Sequence, residues 1–268
     1  RQKLLQAFAE ASEGKDIVIL EGAGHLAEGS LAGLSAREVA DLFQAHTIVV
    51  AKYSRDLVVD DLLLAGKIMG PRLVGAVMNS VPPMRWDFTQ TVMKPFLEKK
   101  GINVLAILPE EKVLLSTSVR EIANCLGGQI LCCEDSLGEL VEDLMVGAMS
   151  AESALAYFRR SLNKAVITGG DRPDIQLAAL QTSTKCLILT GSLYPSPVIL
   201  GHAEEAGVPI ILVGYDTLTT VEMLQRFFGK TRFHQPEKME LFQKLLGEHF
   251  DFARLYASLG LSSPKGQG

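Results

Sequence analysis

A short apolar run rich in β-branched residues, a loop containing Gly or Pro, and a longer amphipathic stretch recur along the whole 268-residue chain. That rhythm restricts the fold more than any other feature, because parallel strands need a crossover connection, usually a helix, between one strand and the next. The clear runs are Asp16–Leu20 (DIVIL), Thr47–Ala51 (TIVVA), Leu73–Met78 (LVGAVM) and Val104–Leu108 (VLAIL). Each is nearly unbroken in apolar residues, as expected of strands covered on both faces. Helices are predicted at Gln2–Ala11, Ser35–Phe43, Leu57–Ile68 and Phe88–Lys99, with Ser35 and Glu38 spaced as a capping box.

From about Ser116 the rhythm restarts. Strands are expected at Gln129–Cys132, Ala165–Thr168, Cys186–Thr190 and Pro209–Val213, and helices at Leu137–Met145, Ala151–Arg159, Ile175–Gln181 and Pro197–Glu205. Two last helices are predicted at Lys238–Gly247 and Phe252–Leu259, and the polar stretch Ser262–Gly268 reads as a mobile tail. The fold class is therefore α/β in two modules, each a mostly parallel sheet covered by helices. The modules are residues 1–115 and 116–230, followed by a helical extension over 231–268.

Composition excludes several classes. Hydrophobic residues make up 47% and charged residues 21%, so packed cores are available and a disordered chain is not expected. The net charge is −5 with the cations scattered, which argues against nucleic acid as a partner. No apolar run reaches the roughly 18 residues that span a bilayer, so no membrane partner is expected either. The cysteines, Cys125, Cys132, Cys133 and Cys186, form no CxxC pair and read as reduced thiols of a cytoplasmic protein. The chain opens at Arg1, without an initiator Met, directly into a helical stretch, and reads as a fragment or processed product.

In the first module, Glu21-Gly22-Ala23-Gly24-His25 follows the first predicted strand. A carboxylate at the carboxyl end of a parallel strand can hold Mg²⁺, and Gly22 and Gly24 either let a ligand approach the backbone or simply make the turn. Asn79, at the end of the third run, has the paired donor and acceptor that read a base, although Asn before Pro is also ordinary turn chemistry. The fourth run ends in Leu108-Pro109-Glu110.

Taken in order, these strings resemble the later half of the dethiobiotin-synthetase-like, P-loop-related domain. The resemblance implies an incomplete P-loop NTPase-like fold in which Glu21 helps bind Mg²⁺, Asn79 contacts adenine and Pro109 passes beside the base. The implied cofactor is ATP, ADP or another adenine nucleotide with Mg²⁺. A phosphate cradle of this kind needs GxxxxGK[ST], and the 268 residues contain none.

In the second module the string Thr168-Gly169-Gly170-Asp171-Arg172-Pro173-Asp174 takes a strand into a helix that starts near Pro173. Such a loop presents Asp171, Arg172 and helix N–H groups as an anion site; equally, Asp171 caps the helix and Arg172 pairs with an acid across an interface. Asp216 and Thr217 fall at the same sheet edge, Asp216 reading as an N-cap.

The strings GDRPD, LILTG and YDT closely resemble the DRTGG domain. That domain follows a dethiobiotin-synthetase-like domain near the N-terminus of many bacterial phosphate acetyltransferases and occurs in stand-alone phosphotransacetylase family proteins. It implies a regulatory, homo-oligomerising and nucleotide-sensing role. Neither a G-x-S-x-G elbow nor His at metal spacing is present among His25, His46, His202, His234 and His249, so no catalytic residue is expected in this chain. The competing expectation is an ATP-dependent ligase or ATPase of the dethiobiotin or cobyrinate amidating type.

Overall fold

The computed structural model describes residues 1–54, 57–228 and 235–262. Two compact units are present, Arg1–Glu110 with Gln243–Gly268, and Glu111–Phe242.

Unit 1 opens with helix α1 (Gln2–Ser12) and helix α2 (Ala36–Phe43), whose Ser35–Glu38 capping box forms as its spacing predicts. A parallel three-stranded sheet follows, in the order β1 (Thr47–Lys52), β2 (Leu73–Val81), β3 (Val104–Pro109). Helix α3 (Val58–Met69) and helix α4 (Lys94–Lys99) are the crossovers. The period-2 alternation of strand side chains divides the core. Ala76, Met78, Val104 and Ile107 pack with Val58, Leu62 and Leu97 on one face. On the other face Val77, Leu105, Ala106 and Leu108 meet Leu246 and Leu255 of the C-terminal helices Pro236–His249 and Phe252–Ser258, and Phe250 between them.

Two expectations for unit 1 are corrected. Asp16–Leu20 is not a strand: it joins no ladder, and Ile17 and Ile19 are 67% and 91% exposed. Propensity alone does not make a strand; pairing and packing do, and β1 pairs only with β2. The expected helix Phe88–Lys99 is broken into Trp86–Phe88, a π-helical turn over Thr89–Met93, and α4. Pro95 has no N–H to close an α-helical bond, and the turn before it widens to compensate.

Unit 2 contains helix α5 (Val119–Leu126) and a five-stranded sheet. Its strands are β4 (Gln129–Cys132), β5 (Asp143–Val146), β6 (Lys164–Gly169), β7 (Thr184–Thr190) and β8 (Ile210–Leu212). They lie in the order β4-β8-β7-β6-β5, with β4 antiparallel and the rest parallel. The four parallel strands are neighbours in chain order. Right-handed crossovers therefore place helices α6 (Ala151–Phe158), α7 (Pro173–Leu180) and α8 (Pro197–Ala206) on one face. Helix α5 and helix α9 (Thr217–Phe227) cover the other, where Ala165, Ile167, Cys186, Ile188 and Ile211 point.

The helix expected over Leu137–Met145 is corrected to two short strands, Leu140–Val141 and β5. Its apolar spacing fits either period, and pairing of β5 with β6 decides the outcome. Lys230, His234 and the tail beyond Ser262 lie outside the described residues.

Candidate functional site at the strand ends of unit 2

Because β5, β6, β7 and β8 run parallel, their carboxyl ends and the loops that follow share one edge of the sheet, where ligands of open α/β sheets bind. The loop after β6 is held from three sides. The Thr168 hydroxyl donates to the Gly147 carbonyl at 3.1 Å, tying the loop to the end of β5. Gly170 lies against the Leu193 carbonyl of the loop after β7, and a methyl group on Gly170 would overlap that oxygen. Below the loop, Gln176 of α7 is fully buried and its Nε2 donates to the carbonyls of Gly169 at 2.9 Å and Gly170 at 3.1 Å.

Arg172 does not stand free for an anion. Its Nε and Nη2 donate to the two carboxylate oxygens of Asp174, both at 3.0 Å, and Nη2 also donates to the Met149 carbonyl at 2.8 Å. The hydrogen bond from Arg172, helped by helix N–H groups, holds the Asp174 carboxyl below the usual carboxylate range. The start of α7 is thus already neutralised by its own acid. The acid that Arg172 meets is Asp174, in the first turn of α7. Asp171 does not pair in this way; it is exposed, and its backbone N–H has no partner among the described residues.

Asp216 caps α9 through the Thr219 N–H at 2.9 Å, as its position predicts, and the Thr219 hydroxyl lowers its pKa. Thr217 meets the Thr190 hydroxyl at 2.9 Å, joining the ends of β7 and β8. Tyr194 and Tyr215, which motif reasoning passed over, are 64% and 45% exposed on the same rim. Gln176 was also legible, as a polar residue inside the apolar run Ile175–Leu180.

In unit 1, Asn79 and Pro109 do reach one edge. Asn79 pairs in register with Lys52, and Val81 with Pro109. The Asn79 carboxamide oxygen accepts the Ser80 N–H at 2.9 Å, and its amide NH₂ has no hydrogen bond among the described residues. Glu21, Gly22 and Gly24 lie in an irregular, exposed stretch rather than at a strand end, and the His25 Nδ1 accepts the Ala27 N–H at 3.2 Å. Among the described residues no group of three His, Cys, Asp or Glu could hold a metal ion. No helix of the described residues is long and apolar enough to cross a membrane.

Residues 2–118 match the AAA domain and residues 121–227 the DRTGG domain. The phosphate acetyltransferase of Pseudomonas putida is 23% identical over 278 residues, covering 97% of this chain and 40% of that protein. That of Nitratidesulfovibrio vulgaris is 26% identical over 275 residues, covering 96% and 39%. The chain thus spans about two-fifths of the length of these curated relatives. A solved structure of the CBS and DRTGG domains of the regulatory region of Clostridium perfringens pyrophosphatase, complexed with its activator diadenosine tetraphosphate, aligns with a TM-score of 0.39. It is 19% identical, over 56% of this chain and 73% of that one. The chain pairs a dethiobiotin-synthetase-like AAA domain with a DRTGG domain, two α/β modules in one polypeptide.

Proposed function

We propose that this chain is a cytoplasmic regulatory or assembly module, related to the N-terminal region of phosphate acetyltransferases, that senses an adenine nucleotide at the rim of unit 2 and self-associates there. One observation carries the reading. Four consecutive parallel strands end at a single edge, where Asp171 and the rings of Tyr194 and Tyr215 are exposed and the Asp171 N–H has no partner among the described residues. An aromatic rim beside hydrogen-bonding groups is the equipment for holding a base and sugar. Leu193, Val198 and Leu218, also exposed around it, supply apolar area for a second copy. Titration calorimetry with AMP, ADP, ATP and adenine dinucleotides, with and without Mg²⁺, tests the nucleotide. Binding is expected with any of the adenine series, and no heat with all of them ends the reading. Light scattering at micromolar concentration tests the assembly, and a monomer would remove that part.

A second reading rests on unit 1, whose strand-end edge carries Asn79, with no partner for its NH₂ among the described residues, and Pro109, paired with Val81. An adenine held there would place this chain with the ATP-dependent ligases. Loss of nucleotide heat in N79A, with no loss in a Tyr215→Ala variant, would favour that reading over the first.

A further inference from the structure

The loop after β6, expected as an anion or interface site, carries two carboxylates, Asp171 and Asp174, against the one guanidinium of Arg172. Arg172 gives its Nε and Nη2 to Asp174 and the Met149 carbonyl, so its charge is offset by its own neighbouring acid. Asp171 places a second, exposed carboxylate on the same loop, with Oδ1 folded back toward Gly169. The Gly170 N–H is turned toward the Thr190 carbonyl at a long 3.4 Å, and the Asp171 N–H has no partner among the described residues. A backbone donor and a side-chain acceptor side by side suit a group that both accepts and donates. A hydroxyl does this and a phosphate does not.

Gln176 explains how the donor comes to face outward. Its carboxamide orientation is fixed by its neighbours, since the opposite rotamer would turn Oε1 onto two carbonyl oxygens. Drawing the Gly170 carbonyl inward turns the Asp171 N–H to the other side of the same peptide plane, because the peptide is trans. The other end of the carboxamide, Oε1, is fully buried and has no hydrogen-bond partner among the described residues. Buried polar atoms are rarely left so, and each calls for an explanation.

We infer that the Gly169–Asp171 loop reads the ribose hydroxyls of a nucleotide rather than its phosphates, with Gln176 as the residue that positions it. The inference rests on the nucleotide reading proposed above and names the part of the ligand that unit 2 contacts. A glutamate at 176 cannot donate to the two carbonyls and accepts N–H instead, so it inverts the loop and withdraws the Asp171 donor.

The test compares AMP, 2′,3′-dideoxy-AMP and pyrophosphate by calorimetry on the full chain, alongside ¹⁵N NMR of the Asp171 amide. AMP should bind about tenfold or more tightly than dideoxy-AMP, the effect of a lost charged hydrogen bond, and pyrophosphate should neither bind nor compete. Q176E should lower AMP affinity about tenfold, leave dideoxy-AMP unchanged and shift the Asp171 amide in the absence of ligand. Should Q176E fail to fold, D171A, altered only at an exposed side chain, should show the same loss for AMP alone. Equal binding of AMP and dideoxy-AMP, competition by pyrophosphate, or AMP affinity unchanged in D171A would overturn the inference while leaving nucleotide binding intact. Absence of AMP binding in the unaltered chain would overturn both readings.

Discussion

The two sheets differ in how completely their strands are enclosed. In unit 2, Val166, Ile167, Leu187 and Ile188 are wholly buried, with helices on both faces. In unit 1 the outer strand β1 alternates between half-buried and exposed residues, and Val50 is 62% exposed. A sheet closed on both faces fixes the backbone at its strand ends tightly enough to leave one buried carboxamide oxygen unpaired under a loop. Asn79, at the strand ends of the more open sheet, has its carboxamide oxygen satisfied by the neighbouring Ser80 N–H. Rigid support is what lets polar groups stand ready without collapsing onto one another.

Substitutions can break this comparison, beginning with the largest effect. Leu187→Ala, at a residue with no exposure in the middle of the unit 2 sheet, should cost about 3 kcal/mol by chemical denaturation, the sum of lost burial and a cavity. Gly170→Ala should cost about 2–3 kcal/mol, because the added methyl meets the Leu193 backbone, which cannot turn aside. Gly75→Ala in unit 1 would overlap the buried Leu105 side chain instead, which must shift within its cluster but carries no backbone with it, so about 1–2 kcal/mol is expected. Equal losses at the two glycines would show that the units are equally adaptable.

Lys164 gives a pH-dependent version. Its fully buried ammonium donates to the carbonyls of Ser161 at 3.2 Å and Ser183 at 2.9 Å, and burial lowers its pKa from 10.5 to about 8, against the pull of Asp143. Between those two values the unfolded chain holds the proton more firmly than the folded one, so this residue makes stability rise with pH, by up to about 1 kcal/mol per unit. Below about pH 8 its burial penalty is fully present. Denaturation at a series of pH values should show the rise, and K164M should flatten it. The smallest effect should come from Val50→Thr on the exposed face of β1, within about 0.5 kcal/mol. A larger loss there would mean that β1 is covered in solution.

Much of the fold was legible because its signals are local. Ser35 with Glu38 formed a capping box, Pro173 began a helix, Asp216 capped one, and the runs at Leu73, Val104 and Cys186 became strands. Two of the failures turn on pairing, while the break in Phe88–Lys99 turns on Pro95 and the π-helical turn before it. DIVIL has the composition of a strand but joins no ladder, and Leu137–Met145 has spacing that suits a helix but lies partly beside β6. At the candidate site the sequence located the loop and named its residues. It could not say that Arg172 pairs with Asp174, since two residues' separation along the chain does not tell which way a guanidinium turns.

What the sequence by itself determined, then, is the alternation of strand and helix, the two domain resemblances and the caps, since each depends on residues within a turn or two of one another. Only the tertiary structure decided which apolar runs found a ladder, that Arg172 is neutralised, and that Gln176 turns the Gly170 carbonyl inward and the Asp171 N–H out. Those outcomes depend on hydrogen bonds and packing between segments far apart in the chain, such as Gly170 against Leu193, and periodicity carries no record of which distant group a residue will meet.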